Sequence, residues 1–189
     1  MAPKRELTVV EITELLTELG GRLQAKGVSA SVYIVGGAAI AIEFDTRRVT
    51  ADVDAIFQPE TSVAAEAAAM AEERGLPARW LNNSAAAWVP GPSRDTEAVV
   101  FEVPGLAVAV ASPRHLLAMK MAAFRPSDRR DLEILFHVLD VTTAARAADI
   151  VEGVYGDHHA LPVRAELELS AEAVLQGLRR RGSVRRRSP

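Results

Sequence analysis

The sequence predicts an α+β fold, a mixed sheet with flanking helices followed by a helical C-terminal half. Up to about residue 111, short β-rich runs alternate with amphipathic segments. Beyond that point the pattern indicates helices alone. We expect an α/β core with an N-terminal helix over 1–111, C-terminal helices packed on it over 112–181, and a disordered basic tail over 182–189.

Composition narrows the class of protein. The chain has 189 residues, 49% of them hydrophobic, which suits one compact domain with or without a helical extension. No apolar run reaches the 18 or so residues of a membrane span, and the absence of cysteine excludes disulfides and thiolate metal sites. We therefore expect a cytoplasmic protein without membrane contact. Net charge is −3, yet 179–189 contain six arginines, which suits either nucleic-acid contact or a solvated helix end.

Capping and periodicity predict the first elements. Thr8 and Glu11 form a capping box for a helix that ends near Gly20-Gly21 or Gly27. A β-rich run over 31–35 leads into Gly36-Gly37, and the apolar segment 38–44 predicts a short helix. Residues 49–57 alternate between apolar and polar and predict a strand. The apolar stripe of the first helix consists of Ile12, Leu15, Leu16, Leu19 and Leu23.

The later elements are predicted from turn and capping residues. Thr61 or Ser62 caps an alanine-rich helix that ends near Arg74, and 75–96 has no clear assignment. Two strands, 98–103 and 106–111, flank Pro104-Gly105. The remaining helices run from Pro113 to about Phe124, from a Ser127 cap to about Leu139, from a Thr142 or Thr143 cap to about Tyr155, and from about Pro162 to Arg181.

Two carboxylates, Asp52 and Asp54, stand two residues apart in the predicted strand. Alternate strand residues share a face, so both side chains should leave the same side of the sheet. Neighbouring carboxylates repel one another unless a cation lies between them, and Mg²⁺ prefers such oxygen ligands and is commonly shared with phosphates. An exposed, solvated strand face would show the same pattern, so the pair alone leaves both interpretations open.

Gly36 and Gly37 follow a predicted strand and open a predicted helix, where backbone N–H groups can bind phosphate. A side chain at either position would keep a triphosphate away, although a tight turn would readily account for one glycine. The order of strand, glycine pair, short helix and acidic strand should bring a phosphate cradle and two metal ligands to one end of the sheet.

These motifs resemble a known superfamily. Val35-Gly36-Gly37 followed by Arg48-x-Thr50-x-Asp52-x-Asp54 resembles the signature of the DNA polymerase β-like nucleotidyltransferases. Trp80-Leu81-Asn82 and Leu116-Leu117-Ala118-Met119-Lys120 … Arg125-x-x-Asp128-x-x-Asp131 resemble a narrower group, the AbiEii/MenT-type toxins of bacterial toxin–antitoxin systems. The resemblance covers about 31–139. It implies a nucleotidyltransferase fold, a nucleoside triphosphate substrate, and Mg²⁺ held by Asp52 and Asp54.

The lysine helix and its acidic neighbour allow two interpretations. Lys120 belongs to the apolar stripe of its helix, so it either extends to water or points into a cleft and meets an anion. The resemblance implies that it stabilises the triphosphate or the developing charge. Asp128 and Asp131 either cap the next helix or serve the reaction. The resemblance places a functional acid in this segment and favours Asp131, with Glu102 as the alternative third metal-binding carboxylate.

Two further residues complete the predicted site. Arg48 should neutralise phosphate charge, together with Lys120. Thr50 shares the predicted strand face with Asp52 and Asp54, so its hydroxyl should open into the same cleft. A phosphate added to Thr50 would oppose triphosphate binding, which makes it a hypothetical inhibitory phosphorylation site. The competing interpretation is a β-branched residue that simply favours a strand.

The sequence therefore predicts a Mg²⁺-dependent nucleotidyltransferase. By resemblance, it is a toxin that transfers nucleotides to the 3′ end of tRNA and blocks translation, with a cognate antitoxin as partner. One alternative is an antitoxin-type enzyme that attaches AMP to a tyrosine of a partner protein. Another is a nucleotide-binding protein without turnover.

Overall fold

The structure, a computed structural model, describes residues 5–91, 94–156 and 161–185. The chain divides into two compact units, Met1–Ser112 and Pro113–Pro189. The strands of the first unit are β1 (Ala30–Ile34), β2 (Val53–Gln58), β3 (Leu81–Asn82), β4 (Val99–Val103) and β5 (Leu106–Val110). Its helices, within the described residues, are α1 (Val9–Ala25), α2 (Gly36–Phe44) and α3 (Glu60–Arg74). Those of the second unit are α4 (Pro113–Ala123), α5 (Arg129–Val138), α6 (Ala144–Tyr155) and α7 (Arg164–Arg185).

The first unit is built on a five-stranded mixed sheet in the order β3-β2-β1-β5-β4. Strand β1 runs antiparallel to β2 and parallel to β5, while β3 is parallel to β2 and β4 antiparallel to β5. Helix α1 contacts β4 and β5, and α2 and α3 contact β2. The predicted α+β fold, with a mixed sheet and flanking helices, is confirmed. Strand β2 lies between β1 and β3, so these two strands are the neighbours of Asp54 in the sheet.

Helix α1 begins as predicted and ends later than one of the two predicted endpoints. Both halves of the Thr8–Glu11 capping box form, and the whole apolar stripe is buried. The helix continues through Gly20-Gly21 to Ala25. A Cβ added at Gly20 would lie 2.3 Å from the Pro104 carbonyl oxygen in the turn between β4 and β5. Gly20 therefore permits close packing of that turn on the helix and does not mark the helix end.

Strand β2 begins four residues later than predicted, at Val53 instead of Val49. Ala51 forms a bend, and Thr50 makes an isolated antiparallel bridge with Leu7. Within the strand the predicted alternation holds, since its apolar face is buried and Asp54 is partly exposed. Asp54 is thus a strand residue, whereas Thr50 and Asp52 precede the strand. Their predicted placement in it was wrong because alternation does not reveal where strand pairing stops.

Several helix ends differ from the predictions. Helix α3 begins after Pro59 with no side-chain cap, so neither Thr61 nor Ser62 caps it. A 3₁₀ turn, Pro126–Asp128, precedes α5 and replaces the predicted Ser127 cap. Thr143 caps α6, as predicted, by accepting a hydrogen bond from the Arg146 backbone N–H. Helix α7 continues beyond the predicted end at Arg181 to Arg185, and the rest of the predicted tail lies outside the described residues.

The helices of the second unit pack around an apolar core. Helix α4 contacts α5, α6 and α7, and α7 also contacts α5 and α6. Among the described residues, no helix is both long enough and apolar enough to cross a membrane. The large, fully buried side chains of this unit include Leu116, Leu117, Leu132, Leu135 and Phe136.

Candidate functional site

The pair Gly36-Gly37, which we call the glycine turn, lies beside strand β2 at Asp54. Gly36 opens α2 with a φ of +66°, a conformation that L side chains rarely adopt. A Cβ built at Gly36 would lie 3.0 Å from Asp54 Oδ2, so a side chain there would crowd the carboxylate. The Val35 backbone N–H donates to the Asp54 carbonyl at 2.9 Å and ties the turn to β2. This position requires glycine both for backbone conformation and for space.

The second glycine borders Thr50 and Arg48. A Cβ built at Gly37 would lie 3.5 Å from Thr50 Oγ1 and 3.7 Å from Arg48 Nη2, both ordinary contact distances. The Thr50 hydroxyl donates to the Asp52 carbonyl at 2.9 Å, and the Thr50 backbone exchanges hydrogen bonds with Leu7. Thr50 therefore helps to fix the backbone of Asp52 and stands beside the glycine turn at the same time.

Helix α2 presents a suitable end for an anion. No side chain among the described residues caps its first turn, which contains no acidic residue. The first N–H groups of a helix have no partner within the helix, and the helix dipole favours negative charge there. The Arg48 guanidinium, close to Gly37, adds a full positive charge. The turn thus combines backbone N–H donors with a nearby guanidinium group.

Asp52, the residue before Val53, lines a cavity of about 220 Å³. Asp52 and Asp54 are both partly exposed. One carboxylate therefore borders the glycine turn and the other borders a cavity. The remaining walls of the cavity are Ala51, Pro77, Arg79, Asn82 and Ser84.

The donor set of this region fits a hard divalent cation. Asp52 and Asp54 offer carboxylate oxygens, the ligands that Mg²⁺ prefers, and the absence of a Cβ at Gly36 leaves space beside Asp54 Oδ2. Among the described residues, no group of three or more His, Cys, Asp or Glu side chains is placed to hold a metal. The side chain of Glu102 is not among those described. Its strand, β4, is separated from β2 by β1 and β5, so strands β4 and β2 lie about 14 Å apart.

The second unit contains a separate charged cluster. Lys120 is 8% exposed, and its Nζ lies 2.8 Å from Asp128 Oδ1 and 2.7 Å from Asp131 Oδ2. Asp131 is only 2% exposed. Lys120 therefore does not extend to water, and the anions it meets are two aspartates of its own chain. Asp128 occupies the N-cap position of α5, yet no side-chain capping bond forms in the described structure, so its carboxylate serves the ion pair instead.

The predicted site residues thus fall into two groups, one in each unit. In the first unit, Gly36 and Gly37 border Arg48, Thr50 and Asp54, and Thr50 donates to the Asp52 carbonyl, whereas the Asp52 side chain lines the cavity. The second unit brings together Lys120, Asp128 and Asp131.

Sequence reasoning missed the cavity wall formed by 77–84. Strand β3 pairs with β2 and sets Asn82 opposite Asp54 in register. Asn82 Oδ1 accepts a hydrogen bond from the Ser84 backbone N–H at 2.9 Å, which closes a tight turn. The available signal was the pair Asn82-Asn83 followed by Ser84, residues typical of such turns, directly after the apolar Trp80-Leu81.

Comparison with known proteins agrees with this geometry. Residues 8–156 match a family described as nucleotidyltransferase of unknown function (DUF6036). The fold is similar to the crystal structure of an antigenic nucleotidyltransferase-like protein from Paracoccidioides brasiliensis, with a TM-score of 0.51 and 16% sequence identity over 95% of this chain and 94% of that chain. At that identity the likeness concerns the fold alone. No curated protein matches the sequence.

Proposed function

The chain belongs to the DUF6036 family of nucleotidyltransferases, and we propose that it transfers nucleotides from a nucleoside triphosphate to the 3′ end of tRNA in a Mg²⁺-dependent reaction. The observation that supports this most strongly is the contact between Gly36 and Asp54. A turn able to hold phosphate and a carboxylate able to hold a cation lie within contact distance of each other. A nucleoside triphosphate with its metal ion requires both.

In this proposal the residues of the chain bind and orient the triphosphate. The first N–H groups of α2, at Gly36 and Gly37, donate hydrogen bonds to its terminal phosphates. Arg48 neutralises part of the phosphate charge. Asp52 and Asp54 would hold Mg²⁺, which when bound supplies positive charge against the triphosphate. Thr50 fixes the Asp52 backbone through its hydroxyl and so positions one of the two carboxylates.

The toxin role and the tRNA acceptor rest on the AbiEii/MenT-type resemblance of the lysine helix. That role requires a cognate antitoxin to neutralise the protein. Lys120 and Asp131 remain the proposed groups that stabilise developing charge, although Lys120 forms ion pairs with Asp128 and Asp131 in the second unit. The arginines around Arg125 and at positions 179–181 supply positive charge for an RNA backbone.

Labelled nucleotides test the proposal directly. Purified protein is incubated with each α-labelled nucleoside triphosphate in turn, Mg²⁺ and total tRNA. The proposal predicts label in RNA, no label in RNA from the γ-labelled nucleotide, and no reaction with a chelator. Asp54→Asn is the inactive control. Label in protein would support the AMP-transferring alternative, and binding of nucleotide with no transfer would support a protein without turnover.

A further inference from the structure

The cavity beside Asp52 has one cationic wall, formed by Arg79. The cavity encloses about 220 Å³, and Arg79 is its only positively charged described wall residue. Ser84 contributes a hydroxyl group and Asp52 a carboxylate. Arg79 and Ser84 are exposed, whereas Asn82 is buried. Arg79 forms the part of the wall at which an anionic group that extends out into solvent can bind.

Hydrogen bonds within the chain hold Arg79 in place. Its Nη2 donates to Ser84 Oγ at 2.6 Å, and its carbonyl accepts from Asn82 Nδ2 at 3.4 Å. The neighbouring Trp80 is fully buried and donates from Nε1 to the Ala67 carbonyl at 2.9 Å. The bond to Ser84 uses one of the five N–H donors of the guanidinium, so others remain to bind an anion.

The sheet order places this cavity and the glycine turn on opposite sides of β2. Strand β1, which leads into Gly36, lies on one side of β2, and β3, which follows Arg79, lies on the other. Asp54 borders the glycine turn and Asp52 borders the cavity. In nucleotidyl transfer the attacking and leaving oxygens stand in line on opposite sides of the phosphorus. If the glycine turn holds the leaving pyrophosphate, an acceptor on the far side of the phosphorus can enter from the cavity, which Asp52 also lines.

We propose that the cavity is the acceptor subsite and that Arg79 binds the last phosphodiester of an RNA strand ending in a 3′ hydroxyl. This inference rests on the proposed nucleotidyltransferase activity. A guanidinium can bind two phosphate oxygens at once, which fixes the strand end as well as attracting it. A tyrosine acceptor carries no phosphate and would not need Arg79. The proposed role of Arg79 therefore applies to a nucleic-acid acceptor and not to a protein.

Transfer to an acceptor in this subsite forms one bond to phosphorus and breaks another. The 3′ oxygen of the acceptor forms a bond to the α-phosphorus of the nucleotide, and the bond from that phosphorus to the bridging oxygen of the β-phosphate breaks. Pyrophosphate leaves with the electron pair of the broken bond, and the proton of the attacking hydroxyl passes to solvent water. Arg79 acts before this step, by positioning the strand, and touches the acceptor but not the reacting phosphorus.

The test compares Arg79→Ala and Arg79→Lys with Arg74→Ala. Arg74 belongs to the same unit, but its guanidinium donates to Glu18 on α1, so its loss removes the same charge without touching the cavity. Steady-state transfer gives separate KM values for RNA and for the nucleotide. Fluorescence anisotropy with a 5′-labelled RNA oligonucleotide gives RNA affinity and its salt dependence without turnover.

Arg79→Ala should raise the KM for RNA and weaken RNA binding at least about tenfold, and lower the slope of log affinity against log salt by about one. The KM for nucleotide should stay unchanged, Arg79→Lys should recover part of the loss, and Arg74→Ala should resemble the wild type. An effect on the nucleotide KM alone, or equal losses in Arg79→Ala and Arg74→Ala, would overturn the subsite. So would label that enters protein instead of RNA. If the wild type transfers nothing, the proposed function fails, and unchanged RNA binding by Arg79→Ala would overturn the subsite separately.

Discussion

The two groups of charged residues differ in how deeply they are buried and in what they contact. Around β2, Asp52 and Asp54 are partly exposed; Asp54 borders the glycine turn and Asp52 lines the cavity. In the second unit, Asp131 is almost fully buried and contacts the ammonium group of Lys120. The first arrangement leaves carboxylates accessible to a ligand, whereas the second balances charge inside the fold.

Because of this difference, we expect substitutions in the two groups to affect different properties of the protein. A partly exposed carboxylate is well solvated, so its removal costs little folding free energy and can relieve repulsion. A buried carboxylate left without its cation retains its full desolvation cost. We therefore expect substitutions around β2 to abolish activity in a stable protein, and substitutions at Lys120 to destabilise the protein whatever they do to activity.

The largest effect should come from Asp52→Asn and Asp54→Asn. Each replaces a charged metal ligand with an amide of the same shape, and transfer should fall about 100-fold or more. The thermal midpoint of Asp52→Asn without metal should equal or exceed that of the wild type. Glu72→Gln, at an exposed position of α3, is the matched control and should remain fully active. Full activity in either aspartate variant would remove that residue from the site.

Lys120→Met should have the next largest effect, on stability. It retains the apolar stem but leaves Asp128 and Asp131 without the ammonium group, so urea unfolding should show a loss of about 3–5 kcal/mol. The double variant Lys120→Met/Asp131→Asn should recover part of this loss because the buried charge is removed with its partner. Lys120→Met as stable as the wild type would show that the buried pair contributes nothing. Transfer assayed well below the unfolding midpoint tests the proposed phosphate role of Lys120 separately.

The two glycines should respond differently to alanine. Gly36→Ala forces a left-handed backbone on an L residue and crowds Asp54, so we expect a loss of at least about 1–2 kcal/mol. Gly27→Ala is the control for backbone strain, since its φ is +71° but nothing lies within 4 Å of the added Cβ. Gly37→Ala should fold normally yet raise the KM for nucleotide. Equal stability of Gly36→Ala and Gly27→Ala would show that the contact with Asp54 is not tight.

Thr50→Val should have the smallest effect. It removes the hydrogen bond to the Asp52 carbonyl, worth about 1 kcal/mol, while keeping the shape of the side chain. We expect transfer to fall only a few-fold. Thr50→Glu instead places negative charge beside the carboxylates, as a phosphate would, and should be inactive. Similar activity in the two variants would exclude charge at Thr50 as an inhibitory signal.

The sequence predicted much of the fold because its signals are local. The capping box at Thr8 and the buried stripe of α1 follow from spacing along one helix. The start of β2 was misplaced because the bend at Ala51 and the bridge from Thr50 to Leu7 depend on pairing across more than forty residues. No pattern within 49–57 records that pairing.

The site was harder to predict than the fold for the same reason. The glycine pair and the acidic pair were recognised as motifs, but the contact of Gly36 with Asp54 depends on the pairing of β1 with β2. Burial of Lys120 against Asp128 and Asp131 depends on how α4 and α5 pack. Arg79 lies in a segment rich in loop residues, where neither helical nor strand periodicity indicates what a side chain will contact.

The most direct test of the account is the Mg²⁺ dependence of nucleotide binding. Calorimetric titration with a non-hydrolysable analogue of each of the four nucleoside triphosphates, with and without Mg²⁺, requires no knowledge of the acceptor. The account predicts that at least one analogue binds about tenfold or more tightly with Mg²⁺, and that Asp52→Asn and Asp54→Asn each remove this gain. Binding that is independent of Mg²⁺ in the wild type, or a gain that survives in both variants, would contradict the assignment of Asp52 and Asp54 to the nucleotide site.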